Sequence, residues 1–160
     1  MRVKVPRLVV AGLSGDSGKT LVSLGIARAL TDRGVKVRPF KKGPDYIDTA
    51  WLGVAARSTC RNLDTFLMPD EAMAGSLATA ASDADLILVE GNRGRFDGVD
   101  VEGSHSTAML ARRLAAPIVL VLDCTKMTRT AAALVLGCQA MDREIDLAGV
   151  VLNRVGCGRH

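Results

Sequence analysis

The stretch Arg7-Leu8-Val9-Val10-Ala11-Gly12-Leu13-Ser14-Gly15-Asp16-Ser17-Gly18-Lys19-Thr20 decides the fold. Arg7–Ala11 is a short apolar run ended by Gly12, which predicts a buried strand. From Thr20 to Arg33 the apolar residues Val22, Ile26, Ala29 and Leu30 share one face, and Gly34 is a good stop, which predicts a helix. Between them lies a glycine-rich turn ending in Gly-Lys-Thr. Phosphate oxygens need several backbone N–H donors converging on one point. Glycines let the chain curl that closely, and a helix N-terminus adds a favourable dipole. In this reading Ser14, Gly15, Asp16, Ser17 and Gly18 wrap the phosphates of ATP, Lys19 offsets the β/γ-phosphate charge, and the Thr20 hydroxyl ligates Mg2+. Gly12 stands one residue earlier than the usual spacing, and Leu13 holds the expected place. A plain glycine-rich turn opening a helix is the alternative, which the Gly-Lys-Thr ending and the strand–loop–helix context oppose.

The same alternation continues outward. Val35–Phe40, Asp85–Val89, Pro117–Leu122 and Leu147–Leu152 read as strands. Tyr46–Ala56, Asp70–Ala81, Ser106–Ala115 and Met127–Met141 read as helices, with a Gly-rich loop from Glu90-Gly91 to about Ser104. Apolar strands alternating with helices imply an α/β fold of three layers, with a mostly parallel sheet covered on both faces. Ligands in such sheets sit beyond the carboxyl ends of the strands. The segments Gly12–Thr20, Lys41–Asp48 and Glu90–Asp97, together with Asp123 and Asn153, each follow an expected strand and so share one rim.

Several residues on that rim carry candidate chemistry. Glu90 ends an apolar strand, where a carboxylate suits a second Mg2+ ligand, direct or through water; a charged strand end is the plain alternative. Asp45 and Asp48 stand beside Lys41 and Lys42, an arrangement that suits Mg2+ binding and stabilisation of a phosphorylated intermediate. Either carboxylate also suits a helix cap. Asp97 is placed to orient substrate or simply to form an Asp-Gly turn. Arg93 and Arg95 match carboxylate geometry, with solvated loop arginines as the alternative. Asn153 is a weak candidate for the adenine edge. Neither His105 nor His160 has a matching nucleophile, and no cysteine sits in a recognisable catalytic setting.

The chain has 160 residues and a net charge of +4, which favours an anionic ligand. Aromatic residues are only 3%, and the basic residues are scattered, which argues against nucleic acid. No apolar run approaches membrane-spanning length, and no signal-peptide core is present. The four cysteines lack C-x-x-C spacing and read as reduced thiols of a cytoplasmic protein. The chain stops just past a buried strand with no covering helix, which reads as one half of a longer protein.

Gly12–Thr20, Phe40-Lys41-Lys42-Gly43-Pro44-Asp45-Tyr46-Ile47-Asp48, Asn62–Met68, Val89-Glu90-Gly91, Phe96-Asp97-Gly98 and Leu152-Asn153-Arg154-Val155 together resemble cobyrinic acid a,c-diamide synthase. The resemblance runs in order over nearly the whole chain. It implies the phosphate-loop nucleotidase fold shared with dethiobiotin synthetase and the partition-type ATPases. Residues 1–160 would then be the ATP-binding synthetase domain, with the glutaminase domain absent. It further implies that ATP phosphorylates a tetrapyrrole carboxylate and that ammonia from glutamine displaces the phosphate. Lys19 and Thr20 then hold ATP and Mg2+, with Glu90 and Asp45 on the metal. Lys41 lies near the transferred phosphate, Asp97 near the substrate and Asn153 near the base. Two features depart from the pattern: no glutaminase domain follows, and Asn92-Arg93 after Glu90-Gly91 is closer to relatives acting on sirohydrochlorin or sirohaem. The rivals are a partition-type switch ATPase, opposed by Ser14 where that class has a signature lysine, and a nucleotide-binding scaffold with no chemistry of its own. A homodimer stays open as an assembly.

Overall fold

The computed structural model describes residues 4–156 and 158. Its elements run β1 (Arg7–Gly12), α1 (Lys19–Thr31), β2 (Val37–Lys42), α2 (Ile47–Ala56), β3 (Arg61–Leu63), α3 (Asp70–Ala81), β4 (Leu86–Gly94), α4 (Thr107–Leu114), β5 (Ile118–Asp123), α5 (Thr130–Met141) and β6 (Leu147–Asn153). The strands form one six-stranded sheet in the order β3-β2-β4-β1-β5-β6. Every pairing is parallel.

Helices cover both faces, as the apolar runs require. Val9, Val89 and Ile118 pack with Met73, Leu77, Leu110 and Leu114 on the face carrying α3 and α4. Val10, Leu88 and Val121 pack with Val22, Ile26, Ala27 and Ala56 on the face carrying α1 and α2. Leu122 and Val150 meet Ala131 and Val135 of α5. Residues of alternating parity along each strand thus feed opposite layers. The chain leaves β1 toward β2 but leaves β4 toward β5. Helices α1 and α4 therefore depart to opposite faces from adjacent strands, and a crevice opens between the carboxyl ends of β1 and β4.

Three expectations change. Strand β4 does not stop at Glu90 but runs to Gly94. Its register with β1 passes from Val10↔Glu90 to Gly12↔Gly94, so β4 has two more residues than β1 over that interval, and Asn92-Arg93 bulges outward. Gly91 and Gly94 permit this: a Cβ on Gly91 would press on Thr107, and one on Gly94 would meet the Leu13 carbonyl. Strand β2 begins at Val37 and includes Lys41 and Lys42, which therefore lie on the strand and not after it. Strand β3 pairs with β2 through Phe40↔Arg61, Lys41↔Asn62 and Lys42↔Leu63, within a segment whose composition predicts no element. Smaller shifts affect helix ends: α1 spans 19–31 and α5 begins at Thr130. The reading of His160 lies outside the described residues. Among the described residues no helix is long and apolar enough to cross a membrane.

Candidate functional site

The turn between β1 and α1 is built by close approach. Gly12 packs so tightly that a Cβ there would collide with the Ser17 hydroxyl, which explains the early glycine. Asp16 and Gly18 take left-handed backbone (φ 54° and 91°), and Gly18 directly precedes α1. No backbone carbonyl among the described residues accepts from the N–H groups of Gly15, Asp16, Ser17, Gly18 or Lys19. Donors at the start of a helix have no partner within it, so this cluster of amides is available to an anion. Asn153, the last residue of β6, donates its Nδ2 to the Ser17 carbonyl at 2.9 Å and ties the loop to the far strand.

Beside the loop stands a compact charge cluster. Glu90 is 0% exposed. Its Oε1 accepts from the Thr20 hydroxyl at 2.6 Å and from Lys41 Nζ at 2.8 Å. Its Oε2 is buried with no partner. Lys41 also donates to Asp48 Oδ2 at 2.6 Å, and Thr20 Oγ1 lies 3.4 Å from the same oxygen. Burial pushes the Lys41 pKa down, but its hydrogen bonds to Asp48 and Glu90 outweigh this and leave it above the ordinary lysine value. Lys19 behaves oppositely. Burial and the neighbouring Lys41 charge hold its pKa below the ordinary value, and none of its attractions amounts to a hydrogen bond. Lys41 is thus a neutralised cation and Lys19 an unsatisfied one.

These residues open onto a cavity of about 570 Å3 lined by Gly15, Gly18, Lys19, Thr20, Lys41 and Asp48, with Asp45, Asn92, Arg93 and Arg154 around it. A second cavity, of about 440 Å3, adjoins it and is lined by Lys42, Pro44, Asp64, Phe66, Leu67, Asp97, Val99 and His105. Asn92 and Arg93 line both, so the β4 bulge is their common wall. Thr107 fixes the bulge by donating to the Asn92 carbonyl at 3.1 Å. Arg93 takes left-handed backbone there (φ 49°).

The candidate residues divide as follows. Lys19, Thr20, Lys41, Asp48 and Glu90 come together at the loop. Asp45 reaches the same cavity, but its Oδ1 accepts from the backbone N–H of Ile47 and Asp48 and caps α2; Asp48 is the carboxylate against Thr20 and Lys41. Asp97 lies in the second cavity, and its Oδ2 accepts from the Gly94 N–H at 3.1 Å. Arg95 is neither a solvated nor a substrate-facing arginine. It is 1% exposed, with its guanidinium 4.8 Å over the Phe96 ring and 3.8 Å from Asp142. The extension of β4 turns it inward: its N–H donates to the Gly12 carbonyl and its carbonyl accepts from Ala108. Arg154 carries no signal in the sequence beyond its place after β6; its guanidinium donates to Asp123 at 2.6 Å and stands over the first cavity.

Among the described residues no group of three or more His, Cys, Asp or Glu closes round a metal. The Thr20 hydroxyl with Glu90 Oε1 (2.6 Å) and Asp48 Oδ2 (3.4 Å) instead forms a sparse oxygen set, and the second Glu90 oxygen has no partner. Such a set fits Mg2+, which keeps several waters and shares phosphate oxygens.

A family model described as the CobQ/CobB/MinD/ParA nucleotide binding domain matches residues 8–160. A cobyrinate a,c-diamide synthase from Magnetococcus marinus is 44% identical over 159 residues, covering 99% of this chain and 34% of that protein. A hydrogenobyrinate a,c-diamide synthase from Streptomyces coelicolor is 45% identical over 157 residues, covering 98% of this chain and 32% of its own length. The chain therefore spans about a third of these curated relatives. The structure of chloroplast FtsY from Physcomitrella patens superposes with a TM-score of 0.65 at 19% identity, over 95% of this chain and 50% of that one. At that identity the likeness concerns the fold alone, which is that of the phosphate-loop nucleotidases.

Proposed function

This chain belongs to the CobQ/CobB/MinD/ParA nucleotide binding domain family, and from that premise we propose that it is the ATP-binding part of a ligase that amidates a tetrapyrrole carboxylate. The observation that carries the proposal is the Lys19 ammonium, without a hydrogen bond among the described residues; with loop residues whose amides no backbone carbonyl claims, it lines a cavity that shares Asn92 and Arg93 with a second one. The names of the relatives supply the substrate class.

In this reading the triphosphate occupies the first cavity, held by the amides of residues 15–19 and by Lys19. The substrate carboxylate enters from the second cavity past Asn92 and Arg93. A carboxylate oxygen attacks the γ-phosphorus, the bond to the bridging oxygen breaks, and ADP leaves, giving an acyl phosphate. Ammonia then attacks the acyl carbon, inorganic phosphate leaves, and the nitrogen loses a proton. In the full-length protein the ammonia comes from glutamine, hydrolysed by a separate glutaminase domain. Lys41, fixed by Glu90 and Asp48, stays protonated and stabilises the charge that builds on the transferred group. Thr20 and Glu90, with Asp48 and Asp45 at hand, would hold Mg2+, which would supply further charge neutralisation. Asp97 orients the incoming substrate, and the free carbonyl end of the Asn153 side chain meets the adenine amino group. Exposed Phe66, Leu67 and Val99 give the second cavity an apolar lip, which suits the face of a macrocycle.

The test is incubation with ATP, Mg2+, an ammonium salt and, in turn, cobyrinate, hydrogenobyrinate and sirohydrochlorin. The expected result is ADP release together with the product mass of a carboxyl-to-amide exchange. Tight nucleotide binding with neither amide nor acyl phosphate formed on any of these acids would overturn the proposal.

A further inference from the structure

Lys41 and Lys42 are consecutive on β2, and consecutive strand residues point to opposite faces. The pleat therefore divides the two ammonium groups between the two cavities: Lys41 lines the first and Lys42 the second. Their surroundings differ. Lys41 has two carboxylates in hydrogen-bond range. Lys42 is only 7% exposed and has no hydrogen bond and no ion pair among the described residues. Asp64 attracts Lys42 through space without a hydrogen bond to it, and commits its Oδ1 to the N–H groups of Phe66 (2.7 Å) and Leu67 (3.1 Å), which shapes the turn that walls the cavity. Asp97 is engaged with the Gly94 N–H, and His105 Nδ1 with the Thr65 hydroxyl at 2.9 Å. Arg93 reaches the same cavity from the bulge and adds positive charge without neutralising Lys42.

Burial outweighs the attraction of Asp64, so the Lys42 ammonium has no hydrogen-bonded counter-ion and faces the cavity, where water or an anionic ligand completes it. We propose that Lys42, together with Arg93, forms an anion subsite in the second cavity that holds a carboxylate of the substrate other than the one being activated. This rests on the tetrapyrrole reading above, for a macrocycle bearing more than one carboxylate, and adds how it is oriented. One side-chain carboxylate anchors on Lys42 while another is presented past Asn92 to the nucleotide. The split of the lysines separates their roles, so that Lys41 serves the reacting group and Lys42 the anchored one.

The test is fluorescence titration of uroporphyrin, a porphyrin bearing carboxylates around its whole rim, against the wild-type protein, Lys42→Met and Lys42→Arg. ADP affinity and Tm are recorded for each protein as the control for folding. Loss of one charge-assisted contact predicts uroporphyrin binding about tenfold weaker or more in Lys42→Met and largely retained in Lys42→Arg. Wild-type binding that Lys42→Met leaves unchanged overturns the subsite and spares the functional reading. A wild-type protein that binds ADP but no uroporphyrin overturns both. If Lys42→Met fails to fold, weakened uroporphyrin binding by Lys42→Gln with normal ADP affinity supports the subsite, and unchanged binding overturns it.

Discussion

Exchanging Glu90 for glutamine tests the metal site in a way that separates it from mere packing. The side chain is wholly buried and nearly isosteric with its replacement, so the fold should survive. Its Oε1 accepts from Thr20 and Lys41, and a glutamine oxygen can do the same. What disappears is the charge and the orphaned Oε2 acceptor. Removing one member of a buried pair costs about 3–5 kcal/mol when nothing compensates. Here Asp48 remains on Lys41 at 2.6 Å, so the expected loss of stability is smaller, about 1–2 kcal/mol. Nucleotide binding should split by metal. With Mg2+, loss of one charge-assisted contact costs about 1.5–3 kcal/mol, or roughly 10- to 150-fold in affinity. Without metal the sign reverses, because removing a negative charge beside a triphosphate site favours the anion; affinity should hold or improve. Calorimetric titration of ATP into both proteins, with Mg2+ and with a chelator, measures both arms. An equal factor of loss in the two arms would refute Glu90 as a metal partner.

The two lysines of the first cavity should respond oppositely to replacement by methionine. Lys19 has a lowered pKa in the fold, so its charged form opposes folding below that value. Lys19→Met should raise the apo Tm by a few degrees while weakening ATP binding about a hundredfold or more, and the Tm gain should shrink as pH climbs toward the ordinary value of 10.5. Lys41 has a raised pKa, so its contribution is complete below 10.5 and is lost as pH rises through the higher folded value; Lys41→Met should lower Tm at neutral pH, a deficit that closes only above pH 10.5. Gly18→Ala should lower Tm and nucleotide affinity together, since φ is 91° and the new methyl would collide with Asn153; adding Asn153→Ala should recover part of the Tm loss but not the affinity, and full recovery of Tm would show that the left-handed backbone carries no strain.

The phosphate loop is legible in the sequence because its information is local. An apolar run, a glycine turn and Gly-Lys-Thr lie within one short segment, whereas the strand order rests on which distant strands pair and is not carried by that segment. Glu90 can be read from one acid at the end of an apolar run. The β4 extension cannot: Gly-Asn-Arg-Gly has loop composition, and only pairing of Gly94 with Gly12, far away in sequence, makes it a strand. Arg95 is misjudged for the same reason, because the continuation of the strand from Gly91 to Gly94 decides which way it faces. Strand β3 is three residues at a sheet edge, too short for any periodicity to register. The choice between Asp45 and Asp48 turns on a cap. Pro44-Asp45 starts a helix whose backbone claims Asp45 Oδ1, and one turn of chain then delivers Asp48 to Lys41.

The bulge explains why one strand can serve two cavities. A regular β4 would keep Asn92 and Arg93 in step with β1 and leave the two cavities without a common wall. The surplus of two residues over β1 pushes both out between the cavities, where Thr107 holds the backbone. In-line transfer between two bound molecules needs a donor and an acceptor pocket that touch at one point while their remaining walls keep the ligands apart. A loop in that position would be free to collapse into either pocket. A bulge anchored by strand pairing on both sides is not, and it can carry Arg93 in a backbone conformation that faces both. On the proposed reading, the departure from regular pairing that hid this segment from the sequence is the feature that brings carboxylate and phosphate together.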